Sequence, residues 1–163
     1  MVKPDDTVFQ EAAEFYKIPV NWIRAIASTE SDFRLDPPPR WEPHLAEHSY
    51  GLGQFLKSTA ISMIWRLPYD LANKGLRIIY EERQGSESGI NRFLQDKEVS
   101  VYLIGAYLSY LRERFGSNIL DLAAAYNAGS VKKTSTGEYT NAGYVERFQD
   151  RLGKMVALFP GDA

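Results

Sequence analysis

Apolar residues recur every three or four positions through much of this chain, the spacing of one face of an α-helix. Between residues 6 and 17, Val8, Phe9, Ala12, Ala13 and Tyr16 form such a face, and Asp6 or Thr7 can cap it. Ile18-Pro19 breaks the run, and Pro19 suits the opening of a second helix carrying Trp22, Ile23, Ile26 and Ala27. The period returns from Glu98, where Val101, Ile104, Leu108, Leu111 and Phe115 share a face. Gly116 closes that helix, and Gly105 leaves room on it for a close neighbour. A further helix carries Ile119, Leu122, Ala123 and Tyr126 and ends in Asn127-Ala128-Gly129; the last runs from about Ala142 through Val145, Phe148, Leu152, Met155 and Phe159.

Elsewhere the pattern fails. Asp36-Pro37-Pro38-Pro39 cannot continue a helix, because proline lacks the amide donor and clashes with the preceding turn, so residues 34–50 are expected as a loop. Ser49-Tyr50-Gly51-Leu52-Gly53-Gln54-Phe55 places glycines where the backbone must turn tightly, and Ser58 or Thr59 then starts a short helix through Trp65. Residues 66–96, interrupted by Pro68, Gly75, Gly85 and Gly89, read as short helices or loops with no assigned role. No run alternates with period two for long enough to be a firm strand, although residues 134–140 are turn-like and β-prone and suit a small hairpin. The expected fold is mainly α, a single helical domain over residues 1–163 with a small β-hairpin or irregular loop region.

Composition narrows the function. A chain of 163 residues, 44% hydrophobic and 25% charged, can bury one sizeable core. No apolar run approaches the roughly 18 residues needed to cross a bilayer, and Met-Val-Lys-Pro-Asp-Asp holds no apolar segment of signal-peptide type. Cysteine is absent, which excludes disulfides and thiolate chemistry. His44 and His48 stand four apart, but Pro43 argues against a helix there; they read as surface residues, and no metal or cofactor is expected. The net charge of −2 gives no footprint for nucleic acid, and Lys132-Lys133 is a short solvated pair. Trp41 offers either a sugar platform or, the favoured reading, an anchor pinning its loop to the core.

Glu30 carries the candidate chemistry. Counting back by helical steps, it shares a face with Ala27, Ile26 and Ile23, at the C-terminal end of its helix. If that stripe is buried, both desolvation and the negative end of the helix dipole push the carboxyl pKa upward, which is what a general acid needs. If the helix is rotated slightly, Glu30 faces water as most glutamates do. Two other polar clusters sit in similar places: Ser49 through Gln54 in the glycine turn, and Tyr126-Asn127 with Tyr144 downstream. Singly, each has an ordinary structural explanation as a cap or as core.

In order, the segments Glu30-Ser31-Asp32-Phe33, Ser49-Tyr50-Gly51-Leu52-Gly53-Gln54, Ala124-Ala125-Tyr126-Asn127-Ala128-Gly129 and Tyr144-Val145 resemble the soluble lytic transglycosylase family, whose fold is lysozyme-like. The resemblance spans roughly residues 18–150, and Thr59-Ala60 agrees with it. Gly53 stands where the family often has methionine, and Lys57 where it often has proline. The resemblance implies a peptidoglycan substrate, cleaved at the β-1,4 bond between N-acetylmuramic acid and N-acetylglucosamine. It implies that Glu30 acts alone as acid and then base, giving a 1,6-anhydro product. Tyr126 and Asn127 would line the cleft, Tyr144 would stand near Glu30, and Ser49 and Gln54 would hold the glycine turn and the sugar; Asp32 is expected to be solvent-exposed or a local cap.

Two rivals stay open. A hydrolytic muramidase on the same fold needs a second carboxylate, for which Glu42 and Glu47 are available. A non-catalytic glycan-gripping or structural module of a secretion or phage particle gains little from a desolvated acid. The expected partner is the glycan strand of the cell wall, reached in the periplasm or after export, with the chain acting as a monomer. A phage lysis or tail protein, a secretion-system enzyme and a periplasmic enzyme all suit that setting.

Overall fold

The computed structural model describes residues 1–81 and 87–162. Its α-helices are α1 (Thr7–Tyr16), α2 (Val20–Ser31), α3 (Lys57–Met63), α4 (Tyr69–Glu81), α5 (Glu87–Leu94), α6 (Lys97–Phe115), α7 (Ile119–Ala128) and α8 (Ala142–Leu158). The strands are β1 (Arg40–Glu42), β2 (Glu47–Tyr50) and β3 (Phe55–Leu56). The chain is therefore a single, mainly α domain with a small sheet. Among the described residues, no helix is long and apolar enough to cross a membrane.

Helix α6 is the hub. Val99, Val101, Leu103, Ile104, Ala106 and Leu108 are all inaccessible to solvent, and helices α1 to α5 and α7 pack against it. Asp96 caps its start by accepting from the Val99 N–H at 3.1 Å, and Gly116 ends it at φ 87°. A Cβ on Gly105 would lie 2.6 Å from Tyr16 Cδ2, so the missing side chain is what admits α1 at this distance. Tyr16 then crosses to donate its hydroxyl to the Arg66 carbonyl at 2.6 Å.

The expected helices at 6–17, 119–128 and from 142 onward appear at those places, with Asp6 the cap of α1. Helix α3 begins at Lys57, one residue before the expected start, and gives way to a 3-10 turn at Ile64–Arg66. Within 66–96 two helices form, α4 and α5. Gly75 lies inside α4, where a Cβ would meet the Phe93 ring at 2.1 Å; it is a point of close approach between α4 and α5 and does not break the helix. Gly85 lies outside the described residues. The hairpin expected at 134–140 closes through a single bridge, Lys133 to Tyr139, around Gly137 at φ 83°.

The loop expected over 34–50 is corrected by the sheet. β1 and β2 pair antiparallel with Arg40 opposite Ser49, Trp41 opposite His48 and Glu42 opposite Glu47, and β2 pairs with β3 through Ser49–Leu56 and Tyr50–Phe55. Side chains alternate across a strand, so Arg40, Glu42, Glu47 and Ser49 share one face while Trp41, His48 and Tyr50 share the other. Trp41 does not pin the segment to the core. It sits on the outermost strand, meets His48 edge-on at 4.9 Å between ring centroids, and remains 51% exposed.

Arg24 of α2 is buried and holds both ends of the described chain. Its Nε donates to the Pro4 carbonyl (2.7 Å), and its Nη1 donates to Asn21 Oδ1 (3.0 Å) and to Asp162 Oδ2 (2.7 Å). Its guanidinium also stacks 3.9 Å over the Phe159 ring. A charge this deeply buried is tolerable because its Nε and Nη1 donors are matched, one of them by a carboxylate, and its planar face is stacked on an aromatic ring. Arg24→Ala is expected to lower the unfolding free energy by about 3 kcal/mol, since it strands Asn21 and Asp162 as well as removing packing. Urea titration with an unchanged slope would read this directly, and a loss below about 1 kcal/mol would reduce the clamp to a surface-type pair.

Candidate active site

Helix α2 delivers Glu30. Ile23, Ile26 and Ala27 are fully buried along one stripe, so the next residue on that stripe is carried toward the interior. The helix stops just beyond it: Asp32 and Phe33 both take left-handed backbone (φ 49° and 63°), their N–H groups returning to the Ser28 and Ala27 carbonyls. Phe33 is buried against Phe9, and its carbonyl accepts from the Val2 N–H at 2.9 Å, which fixes the end of the helix. Asp32 is largely exposed and pairs with Arg151 at 3.0 Å, so it is both the cap and the solvent-facing residue expected.

Ser31 links this helix to the glycine turn, its hydroxyl lying 2.8 Å from the Leu52 carbonyl. In the turn, a Cβ on Gly51 would sit 2.5 Å from the Leu94 carbonyl, at φ 74°, so only glycine fits. Gln54, also left-handed, donates Nε2 to the Gly51 carbonyl (2.9 Å), and Ser49 donates to Gln54 Oε1 at 3.0 Å. Ser49 and Gln54 do hold the turn together. The Tyr126 hydroxyl donates to the Gly53 carbonyl at 2.9 Å, and a Cβ on Gly53 would lie 2.6 Å from that same hydroxyl. The side chain that Gly53 lacks has no vacant space waiting for it: Tyr126, Phe55 and Ile104 occupy the position.

These elements enclose a cleft of about 540 Å³ lined by Glu30, Arg40, Glu42, Gln54, Tyr126 and Asn127, with Ser49, Tyr107, Lys132 and Thr140 completing its walls. All the expected site residues meet there except Tyr144, which stands behind Glu30 and donates its hydroxyl to Glu30 Oε1 at 2.6 Å. Asn127 is set by Asn141, whose Nδ2 donates to Asn127 Oδ1 at 2.9 Å and to the Ala124 carbonyl at 3.0 Å. With its oxygen engaged, Asn127 keeps its own amide donors for the cleft.

Burial governs the electrostatics. The Glu30 side chain is 5% exposed, and loss of hydration pushes its pKa up from 4.5 to about 7. The Tyr144 hydrogen bond and the Arg40 charge pull it down, the Glu42 charge pushes it up, and burial outweighs them. Burial and the neighbouring Glu30 charge hold the Tyr126 and Tyr144 phenols well above their ordinary value, so both remain hydrogen-bond donors.

Arg40 and the position of Glu42 are what sequence reasoning missed. Arg40 Nε pairs with Glu42 Oε1 at 2.7 Å while its Nη2 lies 3.7 Å from Glu30 Oε2, so one guanidinium faces both carboxyl groups. Ser49 Oγ also lies 3.1 Å from Glu42 Oε1, an alternative acceptor for its one hydroxyl hydrogen. Glu47, the other carboxylate considered, accepts from Ser58 at 3.2 Å and does not line the cleft. His44 is exposed at the cleft edge and His48 lies on the opposite face of the sheet; among the described residues no three His, Asp or Glu side chains are grouped to ligate a metal.

No protein-family model matches this chain, and no curated protein sequence matches it.

Folding raises the Glu30 pKa, so between pH 4.5 and about 7 the folded state binds the proton more tightly and stability falls as pH rises. At about 1.4 kcal/mol per unit, the loss is on the order of 3 kcal/mol by pH 8. Glu30→Gln, which keeps an acceptor for Tyr144, is expected to resist urea better than the wild type at pH 8 and about equally at pH 4. An advantage that does not grow with pH would refute the desolvated acid. Tyr144→Phe removes a donor that favours the carboxylate, so the Glu30 pKa should move above 7; a carboxyl ¹³C titration would read the shift.

Proposed function

We propose that this protein is a peptidoglycan lytic transglycosylase with a lysozyme-like helical domain, using Glu30 as its single general acid and base. One observation carries the reading. A buried carboxyl that keeps its proton to about pH 7 is bonded from behind by Tyr144 and opens onto a cleft of about 540 Å³. The ordered resemblance of the four sequence segments supports the same reading.

In this reaction Glu30 gives its proton to the glycosidic oxygen as the bond from the muramoyl anomeric carbon breaks. The resulting carboxylate takes the proton of the C6 hydroxyl as that oxygen bonds to the anomeric carbon. The proton returns to Glu30, no water is consumed, and the product is a 1,6-anhydro sugar. Tyr144 fixes the carboxyl in both charge states, and Arg40 offsets part of the negative charge that appears on Glu30 midway. The substrate lies outside the cytoplasm, so the proposal includes periplasmic or exported action.

A hydrolytic reading is favoured by one feature, the Glu42 carboxylate on the cleft wall, which can orient water as a second carboxylate. The product separates the two. Purified peptidoglycan digested by the wild type is expected to release anhydro-muropeptides, identified by mass, and Glu30→Gln is expected to release none. Fragments heavier by one water would transfer the reaction to a Glu30–Glu42 hydrolase, and binding without cleavage would leave a glycan-gripping module. The wild-type kcat/KM should fall roughly tenfold per pH unit above about 7, as the acid loses its proton. A rate that stays flat to strongly alkaline pH would overturn Glu30 as the acid.

A further inference from the structure

The two adjacent lysines at the base of the 133–139 bridge have different surroundings. Lys133 Nζ lies 3.9 Å from Asp121 Oδ1 and 4.9 Å from the centre of the Tyr139 ring, while the Tyr139 hydroxyl is itself bonded to Asp121. Those contacts use the Lys133 charge and anchor the hairpin to α7. Lys132 lines the cleft beside Thr140, whose N–H donates to the Lys132 carbonyl at 3.0 Å, so its backbone is fixed in place. Among the described residues no acidic side chain pairs with it.

The charge balance of the cleft leaves this ammonium over. Arg40 is matched by Glu42 at 2.7 Å, and Glu30 is neutral while it holds the proton it must donate. Lys132 therefore gives the working cleft one uncompensated positive charge in a protein whose net charge is −2. The cleft is also lined by Asn127, whose Oδ1 is taken up by the bond from Asn141 and whose amide N–H groups are not used in that bond. An ammonium and amide donors lining one cleft are the groups that bind a carboxylate.

We propose that Lys132, assisted by the Asn127 amide, selects acidic glycan strands by pairing with a carboxylate carried on the substrate. The inference rests on the glycan-cleaving reading above and names what distinguishes the substrate. N-acetylmuramic acid bears a lactyl ether ending in a carboxyl group, either free or extended by a peptide that itself ends in a carboxylate; an oligomer of N-acetylglucosamine has neither. Lys132 is a specificity-determining residue and takes no part in the proton transfers.

Affinities measured by calorimetry on the non-cleaving Glu30→Gln background, with and without Lys132→Gln, test this separately from catalysis. Three ligands are compared: peptide-bearing muramyl oligomers, the same oligomers stripped to the free lactyl carboxylate, and neutral N-acetylglucosamine oligomers. Lys132→Gln should weaken an anionic ligand by about fivefold, less at high salt, and leave the neutral ligand unchanged. Loss on the stripped oligomer assigns the lactyl carboxylate, and loss on the peptide-bearing one alone assigns the peptide terminus. Lys132→Arg should retain most of the affinity. Equal losses on neutral and anionic ligands, or no loss on either anionic one, would overturn the proposal. Should wild type cleave peptidoglycan while Lys132→Gln changes nothing, the glycan-cleaving reading survives and this inference falls; absence of cleavage by wild type removes the reading on which it rests.

Discussion

A carboxyl group at the buried end of an apolar helix face needs a hydrogen-bond partner that does not compete for its proton, and here a phenol from another helix provides it. The Tyr144 bond to Glu30 joins α8 to α2 at the floor of the cleft. The same two helices are tied again where Arg151 reaches Ser28 and Asp32. The position of the acid is thus set by packing between long elements, and the cleft is arranged around a point that those elements hold fixed.

Charge around that point is a contest that burial wins. Arg40 approaches Glu30 only to 3.7 Å, and half of its side chain is in water, where the attraction is screened. Its closer partner is Glu42 at 2.7 Å. Had the guanidinium been buried against Glu30, it would have held the carboxylate ionised near neutral pH. Arg40 is near enough to attract a carboxylate at Glu30 and far enough away that burial still holds the group protonated to about pH 7. The cost is borne by stability, as is common where a site needs a group that the fold would rather exclude.

The helical core was legible because its stripes are long. α1, α6, α7 and α8 each repeat the apolar period over several turns; the stripe Ile23, Ile26, Ala27 left Glu30 open between a buried and a solvent-facing position, and the structure has the buried one. The sheet was not legible, since strands of three, four and two residues are too short for a period of two to stand out. Arg40 gave no signal for the same reason: after three prolines it reads as a loop cation, and only pairing opposite Ser49 aims it at the acid. In α4 a glycine that looked like punctuation was there to admit Phe93. Ser31 stood inside a recognised segment, yet its bond to the Leu52 carbonyl, which fastens the acid-bearing helix to the glycine turn, depends on a contact 21 residues away.

The two faces of the β1–β2 ribbon impose an unequal tolerance to changes in chain length. Residues added within the 43–46 turn lengthen a surface connection and leave the pairing of Arg40 with Ser49 untouched. One residue inserted or deleted inside Arg40–Glu42 rotates the strand by half a repeat, presenting Trp41 to the acid and turning Arg40 and Glu42 toward His48. The helical core has no part in that exchange, so such a variant would fold as before with its cleft wall inside out. Natural drift and deliberate libraries alike should therefore accumulate length variation at the tip of this ribbon and avoid its three-residue edge.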